Sequence, residues 1–508
     1  MLLGREEIYT DVEEITYENV CNILRDAMTI HEKNSARMDF LLNYEKGVQP
    51  IERVKKYRSD IDCKCVDNIA NEITEFKLGF NWGNPITLVQ RGENDNKDTA
   101  EAITLLNRCY DAENIKAKTQ ELGRYVEIVG LGYSFVDPNT DYEDGESYFK
   151  IAVLNPRYTF VVKSSYYFDK RDMLGVTYRT DSKGLKHFTC FSKNERFEIN
   201  HLYEHVERSG ELNPVEEIPI VEWTRAYDRM GCFERQISEM DNLNLLISDF
   251  TNDVDQNTQA IWHANDVEFP VEEITLEDGT KKLVTSRPKT NEWIQTFTAK
   301  DGKTPFITPM AIEYDYSGML NNIITRRALI LQKCNVPSRN DNSGGSTGIA
   351  MSDATGWAQA EVDATRQDQI KDGCKIKEIK IVLKAIKKCN SLPQDSVLRN
   401  LKYTDVKTSI KRQKTYEMTT KINAYATGVS HGIYYEDMIN AINLFDDPQQ
   451  VAENSRETTR KYLESVFDKQ NNEPVGGMEE KKPNADRIDQ DKSDQESNSK
   501  MIGGTNVN

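Results

Sequence analysis

An α+β fold is predicted by three features of the chain. Segments of alternating polarity run in series from Tyr125 to Phe191. Stretches with helical spacing flank them on both sides. Two amphipathic helical segments, Phe233–Ala264 and Tyr314–Cys334, enclose a short β-rich insert.

The first helix is predicted over residues 17–43, where Tyr17, Val20, Leu24, Ala27 and Met28 recur at helical spacing. Tyr44-Glu-Lys-Gly-Val-Gln-Pro-Ile51 turns the chain into a basic patch, Arg53 to Arg58. Residues 62–78 and 98–122 read as further helices, separated by Phe80-Asn-Trp-Gly-Asn-Pro-Ile86, which Gly and Pro punctuate. Strands are predicted at 125–135, 148–154, 159–162, 175–179 and 186–191, with Gly, Asp and Asn between them as hairpin turns require.

From Phe233 the apolar residues Ile237, Met240, Leu243, Ile247, Phe250, Val254 and Ile261 mostly alternate steps of three and four. Such a narrow stripe packs helix on helix, and a helix this polar needs neighbours from its own chain or from copies. Residues 267–312 alternate strands and turns. The helix at 315–334 carries Leu320, Ile323, Ile324, Ile330 and Leu331, with Arg326 and Arg327 between them.

Residues 337–356 hold four glycines and three charges, Arg339, Asp341 and Asp353, a net of −1. Backbone entropy opposes ordering of such a segment on its own. A long helix over 357–389 follows, with Ile376, Ile379, Leu383 and Ile386 on one face. Residues 405–468 read as mostly helical pieces. The polar residues 470–508 read as a disordered tail.

Composition narrows the function. The net charge of −18, from 65 basic and 83 acidic residues, opposes general affinity for nucleic acid, because phosphate neutralisation needs clustered Lys and Arg. It does not exclude a protein past which DNA slides without sticking. The nine cysteines are scattered and only Cys63-Lys-Cys65 is close, so free thiols in a reducing compartment are expected and a zinc site is not. No signal-peptide core and no apolar run of membrane-spanning length is seen. Gly344-Gly-Ser-Thr-Gly348 lacks the Gly-Lys-Ser/Thr end of a P-loop. His201-Leu-Tyr-Glu-His205 matches the H-x-x-E-H pattern of inverted zinc proteases, but no third ligand is evident and Asn200 and Glu204 suggest a solvated helix start. No catalytic residue, cofactor or metal is therefore assigned.

Several blocks, in order over about residues 40–455, resemble the portal proteins of tailed double-stranded DNA bacteriophages, specifically the siphophage type. Tyr44–Ile51 is similar to a "Y-x-x-G-x-Q-x-I" block, and Phe76-Lys-Leu-Gly-Phe-Asn-Trp-Gly-Asn-Pro-Ile86 to a helix and turn ending in "G-N-P". Ile218–Glu222, Gly231–Glu234 and Leu246–Asn252 resemble the strand, loop and first helix that follow. Thr347-Gly-Ile-Ala-Met351 resembles "S-G-x-A-L", while Tyr425–Ser430 and Asp447-Pro448 fit the helical end. Departures are Asp241-Asn-Leu-Asn244 for "D-A-Y-N", Thr347 for Ser and Met351 for Leu.

The resemblance implies a ring homo-oligomer, usually twelve copies in the virion, at one capsid vertex. It implies a wing (1–238), stem helix 1 (239–266), a clip (267–312), stem helix 2 (313–336), a tunnel loop (337–356), a long wing helix (357–389), a helical crown (390–468) and the tail (469–508). Its partners would be the major capsid and scaffold proteins, the terminase large subunit, head–tail adaptors and double-stranded DNA passing without sequence-specific binding. Arg339, Asn340, Asp341, Asn342, Ser343, Gly344, Gly345 and Gly348 are then candidates to line the channel. Arg326, Arg327 and Lys333 are candidates for basic rings on the stem, or for pairing with acidic neighbours between subunits, the commoner fate of surface charge. Two other classes stand beside this reading: a capsid-internal adaptor or scaffold with no open channel, and a metal-dependent nuclease or hydrolase using His201, His205 or scattered carboxylates.

Overall fold

The computed structural model describes residues 4–52, 61–91, 97–258 (without 144, 169 and 208), 261–265, 271–276, 279–285, 306–310, 315–337, 356–410, 412, 418–433, 438–439, 455–456 and 460. The chain divides into two units, Met1–Lys414 and Thr415–Asn508.

In the first unit, helix α1 (Val20–Glu45) follows a short strand β1 (Ile8–Thr10). Its N-terminal half lays Val20, Leu24, Ala27 and Met28 on a six-stranded sheet. That sheet has the order β1-β5-β6-β7-β8-β9, from β5 (Thr159–Ser164), β6 (Asp172–Thr180), β7 (Lys186–Phe191), β8 (Glu195–Ile199) and β9 (Glu211–Leu212). β1 runs parallel to β5 and the other pairs are antiparallel. Phe160, Val162, Leu174, Val176, Phe188 and Phe197 face α1, as alternation along a strand with one buried face requires. Each such side chain contributes roughly 1.5–3 kcal/mol through burial.

The C-terminal half of α1 turns Met38, Leu41 and Tyr44 into a different core. It meets there Ile69, Ala70 and Ile73 of α2 (Ile69–Trp82) and Met240 and Leu243 of α5 (Ile237–Thr258). α1 thus ties the sheet to the helix pair.

After β2 (Thr87–Gln90), helix α3 (Lys97–Ala112) is followed by α4 (Ile115–Val129) and strand β3 (Leu131–Pro138). This corrects the expected single helix at 98–122 and strand from 125. Asn114 takes a positive φ of 54° and divides the helices. Ile115, Thr119, Leu122 and Val126 then continue at helical spacing, so packing overrides the strand propensity of Val126, Ile128 and Val129. The stop is Gly130, at φ 75°, where a Cβ would lie 2.6 Å from the carbonyl oxygen of Arg229. β3 pairs with β4 (Phe149–Leu154) and β10 (Ile220–Thr224) in a three-stranded sheet.

The helix predicted from Phe233 to Ala264 is shorter. Glu234–Gln236 form a single 3₁₀ turn, α5 ends at Thr258, and β11 (Ile261–Asn265) pairs with β14 (Phe306–Met310). β12 (Val271–Thr275) and β13 (Lys281–Thr285) form a separate hairpin. The expected helix at 62–78 starts late, at Ile69. The side chain of Asn68 caps it by accepting from Asn71 N.

α6 (Tyr316–Lys333) and the 32-residue α7 (Trp357–Lys388) match their predicted spans closely. Val382, Ala385 and Ile386 of α7 share a core with Leu106 and Tyr110 of α3, and with Leu392, Leu398, Leu401 and Val406. Residues 405–468 read as mostly helical pieces, but 406–409 are not helical. They form strand β15 (Val406–Ser409) instead, paired with β2, where Val406 is buried. In the second unit, α8 (Met418–Ser430) packs Tyr425 and Val429 on Ile439. The expected tail, 469–508, lies outside the described residues.

Candidate functional site

Helices α5 and α6 meet through apolar contacts. Ile330 of α6 is buried, and Ile323 and Leu331 are partly buried against the core that holds Met240 and Leu243. Leu320, Ile324 and Leu329, by contrast, are 48%, 52% and 47% exposed. Leu320 and Ile324, one turn apart, share one side of α6, and among the described residues nothing covers them fully.

α5 is fastened to the segment 63–67 by polar side chains spaced four apart. Asn244 Oδ1 accepts from Asp67 N at 2.9 Å, Ser248 Oγ from Cys65 N at 3.0 Å, and Asn252 Oδ1 from Cys63 N at 2.8 Å. The Tyr44–Ile51 block joins the same fastening. Tyr44 Oη donates to Asp241 Oδ1 at 2.8 Å, and Asn244 Nδ2 donates to Gln49 Oε1 at 2.6 Å. Gly47 makes the turn between them at φ 92°.

The predicted basic residues of α6 have three different surroundings. Arg326 is exposed and its Nε donates to Asn322 Oδ1 at 3.0 Å, one turn earlier. Arg327 pairs within its own chain, with Asp67 at 2.9 Å and with Glu72. Burial opposes its charge, but Asp67 and Glu72 outweigh burial and raise its pKa. Lys333 reaches Glu239 of α5 at 3.5 Å, with both side chains about half exposed. Arg339, Asn340, Asp341, Asn342, Ser343, Gly344, Gly345 and Gly348 lie outside the described residues.

The residues flanking 338–355, the two roots of that stretch, are described. Asn335 takes φ 55°, and Val336 is buried. Gly356 sits at φ 87°, where a Cβ would lie 3.9 Å from Pro337 Cα, so the roots lie side by side. Trp357 then packs edge-on to Phe76 and Phe80 of α2, at 5.9 and 5.8 Å between ring centres.

A buried charge network lies beneath the roots. Lys77 Nζ bonds Asp363 at 2.7 Å and the Asn335 carbonyl oxygen at 3.4 Å. Asp363 also meets Arg225 at 3.2 Å, and Arg225 meets the fully buried Glu127 at 3.0 Å. Glu127 accepts from Trp82 Nε1 at 3.0 Å and Asn81 Nδ2 at 3.2 Å. Burial pushes the Asp363 carboxyl up, but Arg225 and Lys77 outweigh it and hold the group below its ordinary value. Lys371 lies 4.0 Å from the Trp82 ring centre and donates to Asn81 O at 2.9 Å. Burial pulls its pKa down to about 8. Helices α2, α4 and α7 and both roots are thereby held as one block.

Sequence reasoning missed this network. A signal existed: Lys77 falls one turn after Ile73 and Thr74 on the buried face of α2, an unusual place for a lysine unless it is paired.

The H-x-x-E-H segment is a turn rather than the expected helix start. Asn200 Oδ1 accepts from Leu202 N and Glu204 N at 2.9 and 3.0 Å, and Tyr203 has φ 62°. His205 stacks on Tyr17 at 3.7 Å and sits 2.5 Å from Ser209 Oγ. Among the described residues no group of three His, Cys, Asp or Glu is placed to hold a metal ion. A groove of about 1100 Å³ lies beside β6 and α7, and two ion pairs line it, Lys377 with Asp172 at 3.3 Å and Lys380 with Glu217 at 3.0 Å. No described helix is long and apolar enough to cross a membrane.

Comparison with known proteins gives three findings. No curated protein matches the chain. A chain from the solved neck of an empty GTA particle, reconstructed with C6 symmetry, is similar at 11% identity and a TM-score of 0.36. The match covers 78% of this chain and 95% of that one. The family model for the phage portal protein, SPP1 Gp6-like, matches residues 27–464, most of the chain. The chain therefore belongs to the SPP1 Gp6-like family of phage portal proteins, and portal function is what it serves.

Proposed function

We propose that the protein forms a ring of about twelve copies at one capsid vertex, through which DNA is packaged and later ejected. The observation that carries this reading is the one-sided burial of α6. Its inner side is packed against the core, while Leu320 and Ile324, one turn apart, remain about half exposed. A head-to-tail ring covers such an edge with the next copy and leaves none open.

In this reading α5 and α6 are the two stem helices, the strands β11 to β14 are the clip, and residues 337–356 form the tunnel loop. The clip docks the terminase large subunit during packaging and head–tail adaptors afterwards. The wing meets the major capsid and scaffold proteins. Arg326 and Lys333 face DNA as weak, repeated contacts. Arg327, whose charge is matched by Asp67 and Glu72, positions the stem against α2. The loop adds Arg339, Asn340, Asp341, Asn342, Ser343 and the glycines 344, 345 and 348 to the channel wall. A net charge of −18 per copy keeps phosphate binding weak enough for translocation.

Negative-stain electron microscopy of the purified protein, with particle mass recorded on the same sample, tests the assembly. Rings with a central channel and a mass near a dozen subunits are expected. A monomer or dimer at every protein concentration and salt would overturn the reading in favour of an adaptor.

A further inference from the structure

We propose that Cys63 and Cys65 are a redox pair that closes to an intrachain disulfide when the protein passes from a reducing to an oxidising medium.

The two sulfur atoms already lie 3.5 Å apart. Cys63 is the one exposed cysteine of the nine, and Cys65 is partly buried. Their shared direction is set by the backbone. Asn252 bonds both the amide and the carbonyl of Cys63, at 2.8 and 3.1 Å, and Ser248 accepts from the amide of Cys65 at 3.0 Å. Thr251 Oγ1 lies 3.6 Å from Cys65 Sγ, so the second thiol is seated against α5. Closure needs an approach of about 1.5 Å, to the ~2.0 Å of a disulfide bond. Cys21, by comparison, has the His205 ring at 3.3 Å rather than a thiol, and Cys109, Cys190, Cys334 and Cys389 are buried.

The oxidant is a small-molecule disulfide such as oxidised glutathione. The Cys63 thiolate attacks one sulfur of the oxidant, forming a mixed disulfide and releasing one glutathione thiolate, which takes up a proton. Cys65, as thiolate, then attacks the Cys63 sulfur and releases the second glutathione. Two protein thiols are oxidised and one small disulfide is reduced to two thiols, so electrons and protons balance. The hydrogen bond with Cys65 raises the Cys63 pKa, and the nearby charges of Asp255 and Asp62 add to the rise. The first attack therefore speeds up as pH rises. This inference rests on the proposed portal function, under which the protein folds in a reducing host cytoplasm and then persists outside it, so it meets both media.

The test equilibrates the full-length chain against glutathione buffers of increasing oxidised fraction. Acid quenching, denaturation, alkylation and peptide mass spectrometry follow. Cys63 and Cys65 should lose alkylation together, their linked peptides being two hydrogens lighter, while the other seven cysteines stay alkylable. Dithiothreitol should reverse this. In Cys65→Ser, Cys63 should instead retain a glutathione adduct. The proposal is overturned if both thiols stay free across the series. It is equally overturned if the unaltered chain accumulates the same adduct as Cys65→Ser, or if the disulfide links two copies.

Discussion

Asn252 holds the backbone of Cys63 with both atoms of its amide, accepting from the Cys63 N–H at 2.8 Å and donating to its carbonyl at 3.1 Å. Ser248 repeats the contact two residues along the strand-like segment, at Cys65, and Asn244 repeats it at Asp67. The spacing follows from geometry. Four residues of helix rise about 6.0 Å, and two residues of extended chain about 6.6 Å. A helix with small polar residues four apart therefore reads an extended backbone almost in register.

Asn252 and Asn244 are buried side chains that each make two hydrogen bonds here, and truncation removes both. Asn252→Ala and Asn244→Ala should each cost about 1–3 kcal/mol. Chemical denaturation of each variant checks this. An unchanged midpoint would mean that water replaces the amide.

The buried lysine beneath the loop roots gives a second prediction. Lys77→Met leaves Asp363 facing Arg225 alone and frees the Asn335 carbonyl. Removing one partner of a buried pair typically costs about 3–5 kcal/mol, and the remaining arginine should hold the loss near the lower end. A double-mutant cycle with Asp363→Asn should show coupling above about 1 kcal/mol.

Lys371 supplies a pH dependence. Its folded pKa, about 8, lies below the ordinary lysine value of 10.5. Between those values the unfolded chain binds more protons, so this group's contribution to stability rises as pH increases from about 8 to about 10.5. Lys371→Met should accordingly gain on the unaltered protein at pH 7 and lose that advantage by pH 10. Melting curves of the two proteins across that range check the sign. A difference that does not change with pH would place the lysine in water.

The exposed edge of α6 should matter for assembly rather than for the subunit. Leu320→Asp and Ile324→Asp place charge at residues about half exposed in the single chain. Subunit melting should move little, while light scattering should show a shift from ring to monomer.

Much of the order was legible because spacing and turn residues speak locally. The long helix Trp357–Lys388 and the helix Tyr316–Lys333 were read to within a few residues, since their apolar periods run uninterrupted. The junction at Asn114 was not. One positive φ divides two helices there, and Val126, Ile128 and Val129 carry strand propensity inside a helix. β15 was missed for a related reason: its partner β2 lies more than 300 residues away, and no local pattern records such a pairing. The charge network was hidden because Lys77, Glu127, Arg225 and Asp363 meet only through tertiary packing.

The most direct test of the ring reading is electron cryomicroscopy of the assembled protein, with the channel radius measured at each stem and loop residue. Residues 337–356 should form the narrowest constriction, Arg326 and Lys333 should face the lumen, and Leu320 and Ile324 should be covered by the neighbouring copy. A ring with α6 on its outer rim, or with residues 337–356 away from the axis, would contradict that reading.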